Sequence, residues 1–494
     1  MLFTTATFAF LYLPIVLIGY YVLGSRSGTW AAAWLFAASV FFYGYWMPAF
    51  TLLLLSSIAV NFALGMRIAS RPSRGASARA WLAVAVVFNL GLLGYFKYAN
   101  FFVDNLNAAL GTQWRLGEVL LPIGISFYTF TQIAYLVDTW AGKVNEVRPV
   151  HYGLFVTYFP HLVAGPVLHH AQMMPQFADS LVYRFDSTRF WGGLTIFGIG
   201  LFKKVVLADG IAPYADAVFM PVDGGAVPEP AEAWIGALAY TFQLYFDFSG
   251  YSDMAIGLSW MFNIRLPFNF DSPYKALSIS DFWRRWHISL STFLRDYLYV
   301  PLGGNRKGEP RRYVNLGITM VLGGLWHGAS WSFVIWGALH GMYLMVNHAF
   351  RALAERAGWL KCLDSSRVFQ VACWAVTFVA VVFAWVFFRA ETLPGAWRMV
   401  QAMAGRDPGE AASGLLLWNA GLKPAAACGW CVVLGVIAVA LPNSNRFGES
   451  LLGHLRAKGD SAATIGGAAV VAVVALVVIN TARESISAFI YFNF

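Results

Sequence analysis

Apolar residues in this chain come in long unbroken runs, not in the two-residue alternation of a strand or the one-sided stripe of a surface helix. The runs lie at about 5–24, 30–46, 48–66, 80–97, 118–140, 190–212, 232–260, 313–328, 331–349, 369–388, 424–441 and 463–480. Most approach the roughly 20 apolar residues that cross a hydrocarbon core. The pattern predicts an all-α polytopic membrane protein. A further apolar stretch, 153–168, is cut by Pro160, Gly165 and Pro166. It reads as a broken or re-entrant segment, tolerated at membrane depth only where protein buries its backbone. No internal repeat stands out, which weakens an inverted-repeat transporter reading.

Composition agrees. Of 494 residues, 59% are hydrophobic, 17% aromatic and 12% charged, with a mean hydropathy of +0.59. Soluble domains carry about 25% charged residues, so a multidomain cytosolic protein is excluded. The net charge of +9 reads as the Lys and Arg excess of cytoplasmic loops, not as a nucleic-acid surface. Arg26, Arg67 to Arg79, Lys143 with Arg148, the segment 265–312, Arg351 with Arg356, and the loop 443–461 alternate onto one side. The acidic loop 213–232, with Asp216, Asp223, Glu229 and Glu232, falls on the other. Twelve crossings with both termini outside fit this alternation. Loop 390–422, flanked by Arg389 and containing Arg398 and Arg406, fits it poorly. The first cation, Arg26, follows the first apolar run, so that run reads as a transmembrane helix and not a cleaved signal. Cys362, Cys373, Cys428 and Cys431 are too few for a disulfide framework. The CxxC of Cys428 and Cys431 reads as small buried residues before it reads as a redox pair.

Residues 241–348 hold the candidate chemistry. Asp247 and Asp253 interrupt an apolar run, where a carboxylate is costly without a partner; each is either a hydrogen-bond anchor or part of a polar path. The segment 278–300 is amphipathic and aromatic, with Trp283, Arg284, Arg285, Trp286, His287, Ser289 and Arg295. Such a segment lies along or dips into the cytoplasmic interface, its cations gripping an anionic donor or lipid headgroups. His327 follows Trp326 near the end of the run 313–328, between Gly323, Gly324 and Gly328. It lies roughly 20 Å along a helix from Tyr313, and the glycines let a substrate or another backbone approach. A buried neutral imidazole there suits a general base that activates a hydroxyl. His340 and His348 lie on the next helix, and His161, His169 and His170 flank the broken segment, none with dense metal-ligand spacing. No metal is expected.

These residues carry a resemblance. WRRWHISLSTFLRDYLYVPLGGN at 283–305, followed by GGLWHG at 323–328, resembles the membrane-bound O-acyltransferase family. Within it, LLPIGISFYTF at 120–130, FPHLVAGPV at 159–167 and LYFDFSGYSDMAIG at 244–257 are similar to the group serving bacterial alginate O-acetylation, as is the ending FIYFNF. The family's catalytic histidine matches His327 and its second functional histidine His287. The resemblance implies a single integral membrane acyltransferase domain over 1–494 with its catalytic core at about 241–348. It implies a ring of about 11–13 transmembrane or re-entrant helices around a thin centre. A tunnel would join a cytoplasmic donor side to the outer face, lined by Trp283, Arg285, Trp286, Ser289, Asp253 and Trp326. It further implies acetyl-CoA as acetyl donor with no bound cofactor, location in the bacterial inner membrane, and a periplasmic SGNH-type acetyltransferase partner beside polysaccharide synthesis and export machinery. One departure is visible: Trp140-Ala141 stands where Tyr-Arg is frequent after the helix bearing Asp138.

Two alternatives remain at this point. D-alanyl transfer to teichoic acid shares the two histidines. A carrier of a small acylated molecule would use Asp247, Asp253 and His327 for protons but has no need of the paired histidine motifs.

Overall fold

The computed structural model describes residues 2–117, 119–144, 146, 148–163, 165–359, 365–406, 415–458 and 489–490. The expected run 463–480, Cys362 and most of the FIYFNF ending lie outside them. Among the described residues there is no strand. The chain opens with α1 (Leu13–Gly24), α2 (Gly28–Trp46), α3 (Pro48–Ala69) and α4 (Ala76–Leu93). A π-helical turn, Gly94–Tyr98, joins α4 to α5 (Ala99–Leu110). Next come α6 (Ile125–Trp140), α7 (Pro149–Thr157), α8 (Phe159–Leu162), α9 (His170–Ala178) and α10 (Ser187–Phe202). Another π-helical turn, Lys203–Ala208, leads into α11 (Asp209–Asp223) and the 32-residue α12 (Pro230–Met261). Then follow α13 (Ile279–Arg285), α14 (Ile288–Leu294), α15 (Glu309–His327) and α16 (Trp331–Arg356). The remaining helices are α17 (Arg367–Arg389), α18 (Leu393–Met403), α19 (Leu416–Asn419), α20 (Pro424–Ala440) and α21 (Ser444–Lys458).

Most apolar runs are helices, and their departures have local causes. The run 118–140 becomes helical only at Ile125. Pro122 has no N–H to donate, and Gly124 takes φ +76°, where a Cβ would lie 2.9 Å from the Leu162 carbonyl oxygen, a place that suits glycine. The stretch 153–168 is broken, as its prolines suggest. Helix α7 stops at Tyr158 (φ −47°, ψ 107°), Pro160 takes the first turn of α8, and the chain stays buried.

Among the described residues, three helical stretches are long and apolar enough to cross a membrane: Pro48–Ala69, Ala76–Leu110 and Arg367–Arg389. A pair bent by 54°, Pro424–Ala440 with Ser444–His454, would make a fourth. Apolar side chains face outward on them, Leu52 at 73% and Val87 at 70% exposure, a surface that water would penalise.

The chain divides into two compact units, Met1–Phe202 with Gly250–Phe268 and Ser444–Asn493, and Lys203–Ser249 with Asn269–Asn443. The first has an aromatic core in which Phe3 lies 5.0 Å from Phe8 and 5.1 Å from Tyr251. Buried amides tie its helices. Asn61 of α3 donates to Asn89 of α4 at 3.2 Å, and Gln132 of α6 donates to Ser57 at 3.0 Å, the polar contacts that hold helices where hydrocarbon offers no competing partner.

In the second unit, α15 and α16 form a hairpin whose backbones approach closely at Gly324 and Gly337. A Cβ on Gly324 would strike the Phe333 carbonyl oxygen, and one on Gly337 the Met320 carbonyl oxygen. The glycines therefore serve backbone approach. Loop 390–422 is also explained here. Arg389 pairs with Asp216 at 2.8 Å, Arg398 donates to the Val222 carbonyl at 2.6 Å, and Thr392 N donates to Asp223 at 3.0 Å. Arg389 is thus a counter-ion of Asp216 and Arg398 a hydrogen-bond donor to the Val222 carbonyl.

Candidate active site

The segment WRRWHIS folds as a helix, a kink and a second helix. Ser278 caps α13 by accepting from Asp281 N at 3.2 Å. The helix ends at Arg285, Trp286 is extended, and His287 takes φ +44°, ψ +55° before α14 begins. A left-handed non-glycine residue is uncommon and persists only where its surroundings hold it. Asn269 does the holding. Its carbonyl oxygen accepts from Ile288 N at 3.0 Å. Its side-chain Oδ1 accepts from Ser289 N at 3.2 Å and from Ser289 Oγ at 2.9 Å, and lies 3.1 Å from His287 Nδ1.

This geometry fixes the histidine's tautomer. An amide oxygen only accepts, so His287 Nδ1 carries the proton and Nε2 carries the lone pair of the neutral ring. Burial pushes the imidazole down to about 3, which keeps it neutral at ordinary pH. The ring meets Phe248 edge-on at 4.8 Å and Trp326 at 6.1 Å.

His327 is the last residue of α15 and is 3% exposed. Its ring lies 4.9 Å from Trp326, 5.1 Å from Trp336 of α16 and 5.1 Å from Phe388 of α17. Trp326 thus touches both histidines. Two imidazoles in an aromatic surrounding that excludes water can take and return a proton from a hydroxyl without competition from solvent.

Beside them lies a second layer. Trp283 of α13 donates its indole N–H to His340 Nδ1 of α16 at 3.3 Å. Lys204 of the π-helical turn sits between Asp247, next to Phe248 in the chain, at 2.7 Å and Asp209 at 2.8 Å. Lys204 and Asp247 side chains are each 2% exposed, so this is a buried ion pair of the kind that stands only with its partners in place.

The model of the membrane-bound O-acyltransferase family matches residues 143–388. A probable alginate O-acetylase AlgI of Pseudomonas aeruginosa is 47% identical over 408 residues, 82% of this chain and 75% of that protein. The peptidoglycan O-acetyltransferase of Helicobacter pylori is 42% identical over 432 residues, 82% of this chain and 80% of that protein. This chain belongs to the membrane-bound O-acyltransferase family. It is a membrane protein and an acyltransferase, so the carrier alternative falls away. The teichoic acid D-alanyltransferase of Bacillus subtilis is more distant, 26% identical over 281 residues, 54% of this chain and 69% of that protein.

Of the residues expected at the acyltransferase's site, the second unit brings together His287, His327, Trp326, Ser289, Trp283, Arg285 and Trp286. Their settings differ. Trp286 is 1% exposed and stacks on Phe282 at 5.7 Å and against Trp385 at 4.9 Å, deep in the core. Ser289 braces Asn269. Arg285 is engaged by Asp281 at 2.9 Å and the Asp271 carbonyl at 3.2 Å. Asp253 is buried and belongs to the first unit. Asp247 has the character of an anchor, through Lys204. His161 lies 3.0 Å from the Phe155 carbonyl, and His170 lies 3.2 Å from Asp138, which also pairs with Lys143 at 3.2 Å. Sequence reading missed Asn269, Lys204 and the part played by His340. The one available signal for Asn269 was a buried-type asparagine in LPFNF, 18 residues before His287.

Proposed function

We propose that the chain moves an acetyl group from acetyl-CoA on the cytoplasmic side of the bacterial inner membrane to a hydroxyl acceptor on the outer side, for O-acetylation of an alginate-like extracellular polysaccharide. The observation that carries this reading is the pair of buried histidines sharing Trp326, one with its tautomer set by Asn269. In the reaction, neutral His327 takes the proton of the acceptor hydroxyl as that oxygen attacks the thioester carbonyl. The C–O bond forms, the C–S bond breaks, and the imidazolium returns its proton to the leaving thiolate. His287 holds the donor or acceptor in line through the lone pair on Nε2.

Sidedness rests on charge. The stretch 265–312 carries nine Lys or Arg against four acids, which puts it in the cytoplasm by the positive-inside rule, with Trp283 and Arg285 on the donor's approach. The loops 213–232 and 390–422, joined through Asp216 and Asp223, then lie outside. The multi-pass chain acts as one domain with its chemistry in 241–348, a ring of helices with a tunnel through its thin centre, and a periplasmic SGNH-type acetyltransferase completes transfer to the polymer delivered by the synthesis and export machinery. The similarity to proteins named for alginate and peptidoglycan O-acetylation supports acetyl over D-alanyl transfer.

The test is reconstitution in vesicles of known orientation with acetyl-labelled CoA. Label should be consumed only from the face that carries 278–312, and faster with the periplasmic partner opposite. Consumption from the other face alone, or none with the partner present, contradicts the proposal.

A further inference from the structure

His340 is a buried imidazole that the proposed reaction does not use. It has no exposed surface and lies on α16. Its ring is stacked parallel to Phe282 at 6.1 Å and meets Trp336 at 4.8 Å and Trp283 at 5.1 Å. Its Nδ1 lies 3.3 Å from the indole nitrogen of Trp283. An indole N–H only donates, so Nδ1 carries the lone pair and the neutral ring carries its proton on Nε2. That second nitrogen is buried and has no hydrogen-bond partner among the described residues.

A phenylalanine here would fill the aromatic layer and remove the unsatisfied Nε2–H, but it would leave the Trp283 indole N–H without its acceptor. What the imidazole adds, and a hydrocarbon ring cannot, is an acceptor for Trp283. Trp283 stands four residues before His287, on the helix that runs into the left-handed kink. The other neighbour of His340, Trp336, has its ring 5.1 Å from His327. One side chain therefore touches a support of each histidine. The backbone beneath it is fixed as well, because Gly337 lies against the Met320 carbonyl of α15.

We propose that His340 is a positioning residue for acyl transfer: accepting from Trp283 and packing on Trp336, it sets the His287 kink at its working place relative to His327. This rests on the assignment of His287 and His327 to the reacting centre. His340 acts through its neighbours and does not touch the reacting atoms, so its loss is read as misplacement, which costs up to about 100-fold for displacements near 1 Å.

The experiment uses the full chain, purified and reconstituted, with acetyl-CoA as the probe and free CoA release measured per mole of folded protein. The variants are His340→Phe, Trp283→Phe, their combination, His340→Gln and His327→Ala. His340→Phe and Trp283→Phe should each lower kcat about 10- to 100-fold, and the double variant should lose no more than the worse single, because both delete one interaction. His340→Gln, which offers an acceptor again, should recover most of the rate. If His340→Phe does not accumulate, the comparison of Trp283→Phe with His340→Gln decides, the first slow and the second fast. His340→Phe at the wild-type rate, losses that multiply in the double variant, or no recovery in His340→Gln overturns the proposal. Normal turnover by His327→Ala would instead overturn the reading on which it rests.

Discussion

Asn269→Ala removes the oxygen on which the His287 kink is built. Asn269 has no exposed surface, and its Oδ1 accepts from Ser289 N, Ser289 Oγ and His287 Nδ1. The serine hydroxyl can turn elsewhere, but two N–H groups are left buried without a partner. At about 1–3 kcal/mol each, stability should fall by roughly 2–6 kcal/mol, visible as a lower thermal midpoint in detergent. The activity loss has a separate cause, since nothing then holds the proton on Nδ1 and the ring can turn Nε2–H toward the site. Asn269→Asp separates the two effects. It restores an acceptor for both N–H groups, but its carboxylate favours the imidazolium and raises His287 from about 3, by about 1–3 units for a close opposite charge. The sign follows: the wild-type ring is neutral from pH 5 upward, whereas the variant begins to protonate as pH falls toward that value. Acetyl-CoA turnover in Asn269→Asp should therefore decline between pH 8 and pH 5 more steeply than in the wild type. A wild-type midpoint and rate in Asn269→Ala, or an unshifted acid limb in Asn269→Asp, would refute the role given to this residue.

Lys204→Met strands the Asp247 carboxylate and should cost about 3–5 kcal/mol, while Lys204→Met combined with Asp247→Leu should regain much of it; equilibrium unfolding in detergent measures both. Gly324→Ala places a methyl group against the Phe333 carbonyl and should separate α15 from α16, lowering turnover at least tenfold with the protein still in the membrane, roughly as overpacked contacts do. Asn305, exposed in the basic stretch, should as Asn305→Cys in a cysteine-free background resist an impermeant thiol reagent added outside spheroplasts; ready labelling would reverse the assigned sidedness.

The helical class, the break at 153–168 and the two histidine motifs were legible because each depends on neighbouring residues: apolar run length, proline placement, and the composition of WRRWHIS and GGLWHG. What was not legible depends on residues far apart in the chain. Asn269 meets His287 across 18 positions, Lys204 meets Asp247 across 43, and Trp283 meets His340 across 57; no periodicity encodes such meetings. The apolar run 118–140 does not reveal the helix start at Ile125, which the proline and the left-handed glycine ahead of it set. Arg389 and Arg398 misled charge counting because they answer Asp216 and the Val222 carbonyl, not the bilayer.

The central claim is that His327 performs the proton transfer of the acyl-transfer step. Its direct measurement is acetyl-CoA turnover by His327→Ala, purified at wild-type yield and thermal midpoint beside the unaltered protein. Loss of a general base predicts a fall of about 10²- to 10⁴-fold in kcat, with donor binding largely kept. Turnover within a few-fold of the unaltered protein would contradict the account.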